Sequence, residues 1–349
     1  MLPYWILFGY FAAGALFLPK RSTLDHRRPN VFFHLGFILV TVLIGLRYEV
    51  GGDWGNYLDR FDRARVGGLA RVLSEGDPGY QFVNWLIQQL GGRIWHVNLI
   101  CSAIFCWGLF RFARLQSNAW LAMVVAVPYL VIVVGMGYTR QAVAIGILMA
   151  GLASHLRGGS MLRFAVYVTF AALFHKTAVA AFILLAFASD RNKLVNFLLA
   201  LAVSVLLYDI LLSPEIDRLK ESYLDARYAS EGAAIRVTMC LIPAVAFLLK
   251  QRTLGFSEEE RRLWRNSSLT ALGLLVLLWV LPSSTVVDRL GLYILPLQLA
   301  VLPRLSGAFT QRNLGTLLVV LYSVLVEFVW LHYAHHAQGW LPYKFYPIF

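Results

Sequence analysis

A chain of 349 residues with 59% hydrophobic and only 14% charged side chains, and a mean hydropathy of +0.64, is too apolar for a soluble domain. Its apolar runs are continuous and approach the length that crosses a bilayer, without the two-residue alternation of barrel strands, so a helical membrane bundle is expected and a closed barrel is not. The net charge of +12 would suit a nucleic-acid binder, but no soluble domain with a basic, aromatic face is available to carry that role.

Twelve hydrophobic segments follow in order: 3–19, 31–46, 94–110, 119–135, 140–156, 161–174, 177–189, 194–212, 233–250, 267–283, 290–303 and 314–331. The expected fold is an all-α polytopic bundle of about 12 transmembrane helices in a single domain over residues 1–349, some of them short or broken because they fall below about 20 residues. The first run, Leu2 to Leu18, has no basic region before it and no clear small-residue cleavage site, so it reads as a retained span. Cys101, Cys106 and Cys240 lie in apolar runs, and the spacing of the first two puts them on different helix faces, so no disulfide or zinc pattern follows.

Alternate loops differ in charge. Those at 20–30, 111–118, 157–163, 190–193, 250–266 and 304–313 hold 17 Lys and Arg with 5 acids, whereas the other side holds 14 basic and 14 acidic residues. Short basic loops mark the cytoplasmic face, so both termini and the long connections 47–93 and 213–232 are expected outside, and 251–266 forms a cytoplasmic helical loop. The frame depends on 161–189 being two short helices that turn at Phe174-His175-Lys176-Thr177; one long helix would send the basic loop 250–266 to the wrong side.

Amphipathic helices are expected on the extracytoplasmic side. Asp53 can cap a helix from Trp54 that places Tyr57, Leu58 and Phe61 on one face and breaks at Gly67-Gly68. Asp77-Pro78 starts a second helix with proline at its first position, and Ser213-Pro214 a third. On the cytoplasmic side Ser257 and Glu260 have capping-box spacing for a short basic helix.

Charged residues gather at the outer ends of the segments: Arg47, Arg140, His175, Lys176 and Asp288-Arg289. Charge near lipid is expensive, so each such residue is an interfacial anchor, a paired group or a functional one. Five sites at one side favour function, because anchors should scatter over both faces. Arginine suits a diphosphate through bidentate, charge-assisted bonds, which nominates Arg47, Arg140 and Arg289 with Lys176. His175 is the candidate base, with an ordinary pKa near 6.5; its competing role is a buried histidine bonded to a backbone carbonyl. Glu49 and Asp53 are alternative bases, against a salt bridge to Arg47 or a helix cap. Tyr48, Trp54, Tyr57, Tyr223 and Tyr228 could stack on sugar rings or form an interfacial belt. His332, His335 and His336 have helical spacing but no nearby carboxylate, and read as a polar tail instead of a metal site. Nucleotide loops, G-x-S-x-G elbows and HExxH motifs are not seen, so no cofactor is expected.

The motifs Arg47-Tyr48-Glu49-Val50-Gly51-Gly52-Asp53-Trp54-Gly55-Asn56-Tyr57 with Phe61, Asp77-Pro78-Gly79-Tyr80, Arg140-Gln141, Phe174-His175-Lys176-Thr177-Ala178, Asp288-Arg289 with Tyr293, and Pro342-Tyr343-Lys344-Phe345 together resemble the EpsG/Wzy family of bacterial polysaccharide polymerases, which make O-antigen and exopolysaccharide. Gly52 departs from that pattern, which would place Thr or Ser there, so no hydroxyl is available at that position. The resemblance implies a GT-C-like, metal-independent membrane glycosyltransferase in the bacterial cytoplasmic (inner) membrane. It would join oligosaccharide repeat units carried on undecaprenyl diphosphate at the outer face, alongside a flippase and a chain-length regulator. The competing functions are a membrane O-acyltransferase of surface polysaccharide and a lipid-linked sugar transporter. Charges confined to one face argue against alternating access.

Overall fold

The computed structural model describes residues 1–18, 31–66, 68–179, 233–280, 284–309 and 311–348. The expected segments 177–189 and 194–212, the loop 213–232 and the candidate sugar-stacking residues Tyr223 and Tyr228 therefore lie outside the described residues, apart from Thr177 to Val179. The described chain is all-helical, and its one bridge between extended residues joins Arg47 to Phe345.

In chain order the helices are α1 (Leu2–Phe17), α2 (Val31–Gly45), α3 (Trp54–Arg63), α4 (Leu69–Ser74), α5 (Pro78–Gln89), α6 (Ile94–Ala113), α7 (Ala119–Ala126), α8 (Thr139–His155), α9 (Met161–Phe174), α10 (Ala233–Lys250), α11 (Glu258–Val280), α12 (Ser284–Leu292), α13 (Pro296–Leu305) and α14 (Arg312–Tyr333). Four stretches, Ile94–Ala113, Ala233–Lys250, Glu258–Val280 and Asn313–Tyr333, are long and apolar enough to cross a membrane. Leu2–Phe17, Val31–Gly45, Ala119–Gly135 and Met161–Phe174 are shorter apolar helices.

Local chemistry sets several boundaries. Asn118 caps α7 by accepting from Leu121 N at 3.1 Å, and Ser160 caps α9 by accepting from Arg163 N at 3.2 Å. Beyond α7 the helix widens to a π-helix over Val127–Gly135, where Pro128 has no N–H to give to the ordinary ladder. Helix α9 stops at Phe174; His175 is extended, with φ −157° and ψ 115°, and a single 3-10 turn follows over Lys176–Ala178. The turn expected at 174–177 is thus present.

Two expected elements take a different form. The capping box exists, with Ser257 N donating to Glu260 Oε2 at 2.9 Å and Glu260 N donating to Ser257 Oγ at 3.2 Å, but the helix it starts is no short basic piece. It continues unbroken to Val280, because the apolar run after Leu269 carries on the same helix. The expected segment 290–303 divides into α12 and α13, with Pro296 opening the second.

Helix α8 forms the centre. Every residue from Gln141 to His155 is buried, as befits a helix that is apolar on all sides. It crosses α6 closely enough that a Cβ on Gly108 would lie 1.7 Å from the Gly146 carbonyl oxygen, so small residues set this approach. The ends of this helix are separated by roughly 25 Å at 1.5 Å per residue.

The C-terminal segment locks the opening motif. Tyr48 N donates to Lys344 O at 3.0 Å, Tyr346 N to Leu46 O at 2.8 Å, Gly51 N to Gly339 O at 2.7 Å and the Tyr343 hydroxyl to Leu43 O at 2.7 Å. Trp340, 1% exposed, donates its indole N–H to Ile132 O at 2.9 Å, which ties this tail to the π-helix. The three histidines of the tail do not share one helix face, because α14 ends at Tyr333 and His335 and His336 lie in a 3-10 turn.

Candidate active site

Helix α5 begins at Pro78, with Asp77 at its N-cap. An aspartate there ordinarily turns back onto the first free N–H groups of its helix, but this one makes no such bond. Its Oδ2 meets Arg140 Nη1 at 2.5 Å and lies 3.9 Å from His175 Nδ1. Arg140 comes from the first turn of α8 and His175 from the break after α9, so three elements distant in sequence converge on one carboxylate.

The second ring nitrogen of His175, Nε2, is 3.3 Å from Arg289 Nη1 on α12. A guanidinium only donates, so Nε2 accepts and the ring proton sits on Nδ1, facing Asp77. Two further bonds fasten this region, one between α8 and α12 and one from the turn after His175. Gln141 Nε2 donates to the Arg289 carbonyl at 3.1 Å, and the hydroxyls of Thr177 and Tyr293 are 3.0 Å apart. Lys176, half-buried, opens the 3-10 turn beside the histidine.

Burial alone would raise the pKa of Asp77, but the neighbouring imidazole and the Arg140 guanidinium outweigh it and hold the carboxyl below its ordinary value. Burial pushes His175 in the direction of the neutral ring, and the positive charges of Arg289 and Arg140 add to that; the contact with Asp77 opposes them without reversing the shift, so its pKa is below 6.5. The ring is therefore neutral at physiological pH, with a lone pair on Nε2.

A second ion pair adjoins the first through the chain itself. Asp288, next to Arg289, pairs with Arg236 on α10, and Arg236 also donates to the Tyr129 hydroxyl and lies 5.6 Å from the ring centres of both Tyr129 and Tyr138. The sequence does not nominate Arg236, and it offers Asp77 as a helix start and part of a family motif but not as a partner for Arg140 and His175. The signal for Arg236 was present, as an arginine inside the apolar run 233–250. Nothing local marks Tyr129 and Tyr138, which face it from the first turn of the π-helix and from just beyond its end.

The other candidates fall elsewhere. Arg47 is 1% exposed, and its guanidinium donates to Val50 O at 3.1 Å, Ile44 O at 2.6 Å, Thr139 Oγ1 at 2.7 Å and Asn98 Oδ1 at 3.5 Å. Those neutral acceptors make it a cross-link between the opening motif, α6 and the start of α8. Glu49 is exposed, adopts a left-handed φ of 51° and pairs with Lys344 Nζ at 2.5 Å, not with Arg47. Asp53 is the N-cap of α3 without a side-chain cap bond, and accepts from Asn56 Nδ2 at 3.3 Å. Of the aromatics, Tyr57 is buried edge-on against Tyr80 with the Arg140 guanidinium 5.9 Å from its ring centre. Tyr48 and Trp54 form a half-buried pair with centroids 5.9 Å apart.

A multi-pass helical membrane protein with linked ion pairs around a buried histidine is the class that fold and site define. Residues 30–345 of the 349 match the EpsG family, and the chain belongs to it. Membership suggests a polysaccharide polymerase-like, glycosyltransferase-like membrane protein that handles lipid-linked polysaccharide substrates. No curated protein and no solved structure matches the chain.

Proposed function

We propose that this protein joins oligosaccharide repeat units carried on undecaprenyl diphosphate into a longer polymer, at the outer face of the bacterial cytoplasmic membrane. The observation that carries the reading is the convergence of Asp77, Arg140, His175 and Arg289 within ion-pair and hydrogen-bond distance of one another. In the proposed step a sugar hydroxyl of one lipid-linked unit loses its proton to His175 Nε2. The resulting oxygen bonds to the anomeric carbon of the growing chain, the bond from that carbon to the diphosphate oxygen breaks, and the lipid diphosphate leaves with the electron pair. Asp77 fixes the tautomer that keeps Nε2 unprotonated, so that the hydroxyl can take the place of Arg289 Nη1 there, and stabilises the imidazolium that forms. Arg289, Arg140 and Lys176 supply positive charge for the departing diphosphate, which is already a good leaving group.

This assignment leaves Arg47 as a structural cross-link and gives the proton transfer to His175 over Glu49 and Asp53. Tyr48 and Trp54 remain the candidates for sugar stacking. We place the end of the bundle that carries Arg140 outside because the basic loops gather at the opposite end, which the positive-inside rule assigns to the cytoplasm. About twelve spans in a GT-C-like arrangement and cooperation with a flippase and a chain-length regulator complete the proposal.

The test is reconstitution in liposomes with a lipid-diphosphate-linked repeat unit. The expected result is a new glycosidic bond with release of lipid diphosphate and no need for another donor. Product formed only when an acyl donor is added would establish the O-acyltransferase instead, and movement of the substrate across the bilayer without any new bond would establish a transporter.

A further inference from the structure

At the end of the bundle opposite the candidate site, the start of α2, the end of α6 and the turn after α8 enclose a pocket of about 350 Å³. Among the described residues its polar lining is Arg111, Arg114, Arg157 and His34, without an acidic side chain, and the remainder of that lining is aromatic, including Trp107. Arg114 Nη2 donates to His34 Nε2 at 2.7 Å, so the histidine spends its lone pair on one arginine. The Arg111 guanidinium lies 5.7 Å from the Trp107 ring centre, and its Nε makes no hydrogen bond among the described residues. Arg157 is exposed and forms no ion pair among the described residues. Three guanidinium groups thus meet in one place without a carboxylate among the described residues, in contrast with Arg304 at the same end, which is paired with Glu260 at 2.8 Å.

We propose that this pocket binds the phosphate headgroup of an anionic phospholipid from the leaflet at the basic end. The charge calls for a phosphate, because the planar forks of arginine bond such oxygens in pairs. The walls call for a lipid and not a soluble anion. Trp107 is 42% exposed on an apolar helix, and Phe32 and Leu35 on α2 are 59% and 44% exposed, so apolar surface suited to acyl chains flanks the basic pocket. Basic pockets between membrane helices at the cytoplasmic level are where anionic headgroups are held. The lipid would brace α2, α6 and α8 from the side away from the candidate chemistry.

The test compares purified full-length protein with R114Q/R157Q, measuring retention of phosphatidylglycerol against phosphatidylcholine of the same acyl chains by native mass spectrometry, and melting temperature in each lipid. Wild type is expected to prefer phosphatidylglycerol and to melt higher in it, and the double variant to lose about thirtyfold of that preference, at about 1 kcal/mol per basic side chain. Unchanged preference in the variant overturns the proposal. So does a soluble anion that does the same work, seen as inorganic phosphate raising the wild-type melting temperature as far as phosphatidylglycerol does. Should the double variant melt lower even in phosphatidylcholine, R157Q alone, at an exposed position, carries the same test with an expected loss of about fivefold. Either failure leaves the polymerase assay above unaffected, since none of these arginines belongs to the candidate site.

Discussion

Helix α8 meets a carboxylate at each end, Asp77 at its start and Glu259 at its finish, and the two contacts are built differently. At its first turn Arg140 shares the Asp77 carboxylate with His175, and His175 turns its remaining nitrogen to Arg289, so the pair orients a titratable ring. At its last residue His155 Nε2 meets Glu259 at 3.2 Å, with Glu259 49% exposed, and nearby Arg304 is satisfied by Glu260 at 2.8 Å, Gln116 at 2.8 Å and the Ala300 carbonyl at 3.1 Å. In the second arrangement Arg304 is satisfied on several sides, Glu259 is reached by solvent, and His155 Nε2 lies near the carboxylate without a hydrogen bond among the described residues. The first leaves an imidazole lone pair against a cation, a contact that an incoming hydroxyl can replace. One end is therefore built for holding helices together and the other for holding a proton acceptor in place.

Two sets of variants should break this contrast if it is wrong. His175→Gln is expected to lower polymer formation by at least about a hundredfold, the lower bound for removing a general base, with unchanged protein in the membrane fraction. His155→Gln at the far end should leave polymer formation intact; equal losses in both would erase the distinction. Next in size is the Asp77–Arg140 pair. Breaking it from one side, as in D77L or R140M, leaves a buried charge and should cost about 3–5 kcal/mol, read as a lower melting temperature in detergent. The double variant D77L/R140M removes both charges and is expected to recover most of that stability while staying inactive. Recovery of activity along with stability would reduce the pair to a scaffold.

Much of the frame was legible because it depends on local chemistry. The break at Phe174-His175 follows from a short apolar run ending in polar residues, the start of α5 from Asp77-Pro78, and the capping box from Ser257 and Glu260. Charge at segment ends also nominates Arg140, His175 and Arg289, which the fold brings together at one end. What periodicity and charge could not give is which charges share a partner. Arg47 has the same sequence signature as Arg140, yet its acceptors are carbonyls and neutral side chains from α2, α6 and α8, contacts that exist only after the helices pack. Asp77 was hidden by its own position, because an N-cap aspartate already has a sufficient local role; only the fold shows the carboxylate turned away from its helix. The joining of α11 to its capping box was lost for a different reason, since the charged first turns masked a helix whose later turns are apolar.

The pH response gives a third measure of the site end. Because burial and two guanidinium groups hold the His175 pKa below 6.5, the ring remains a neutral acceptor as pH falls through 6.5, and activity should persist there. Activity is then expected to drop about tenfold per unit once pH passes below the lowered pKa, as the protonated ring can no longer take a proton. Replacing Asp77 by Asn removes the one contact that raises the histidine, so any residual activity of D77N should have its acid limb at still lower pH. A limb that moves upward would mean that Asp77 does not face the ring in the working enzyme.

The smallest expected effect belongs to the basic end. Glu260 caps α11 through its contact with Ser257 N and also accepts from Arg304, which is stacked 4.1 Å from the Phe256 ring centre. Glu260→Gln keeps the length and the cap but removes the charge, and Arg304 retains Gln116 and the Ala300 carbonyl as acceptors. The loss should therefore be about 1 kcal/mol, a fall of roughly 2 °C in melting temperature, with polymer formation unchanged. The size matters more than the sign. A pair surrounded by alternative acceptors degrades gradually, whereas removing one partner of the Asp77–Arg140 pair should not, and a loss from E260Q as large as that from R140M would mean that the two ends of α8 are built alike after all.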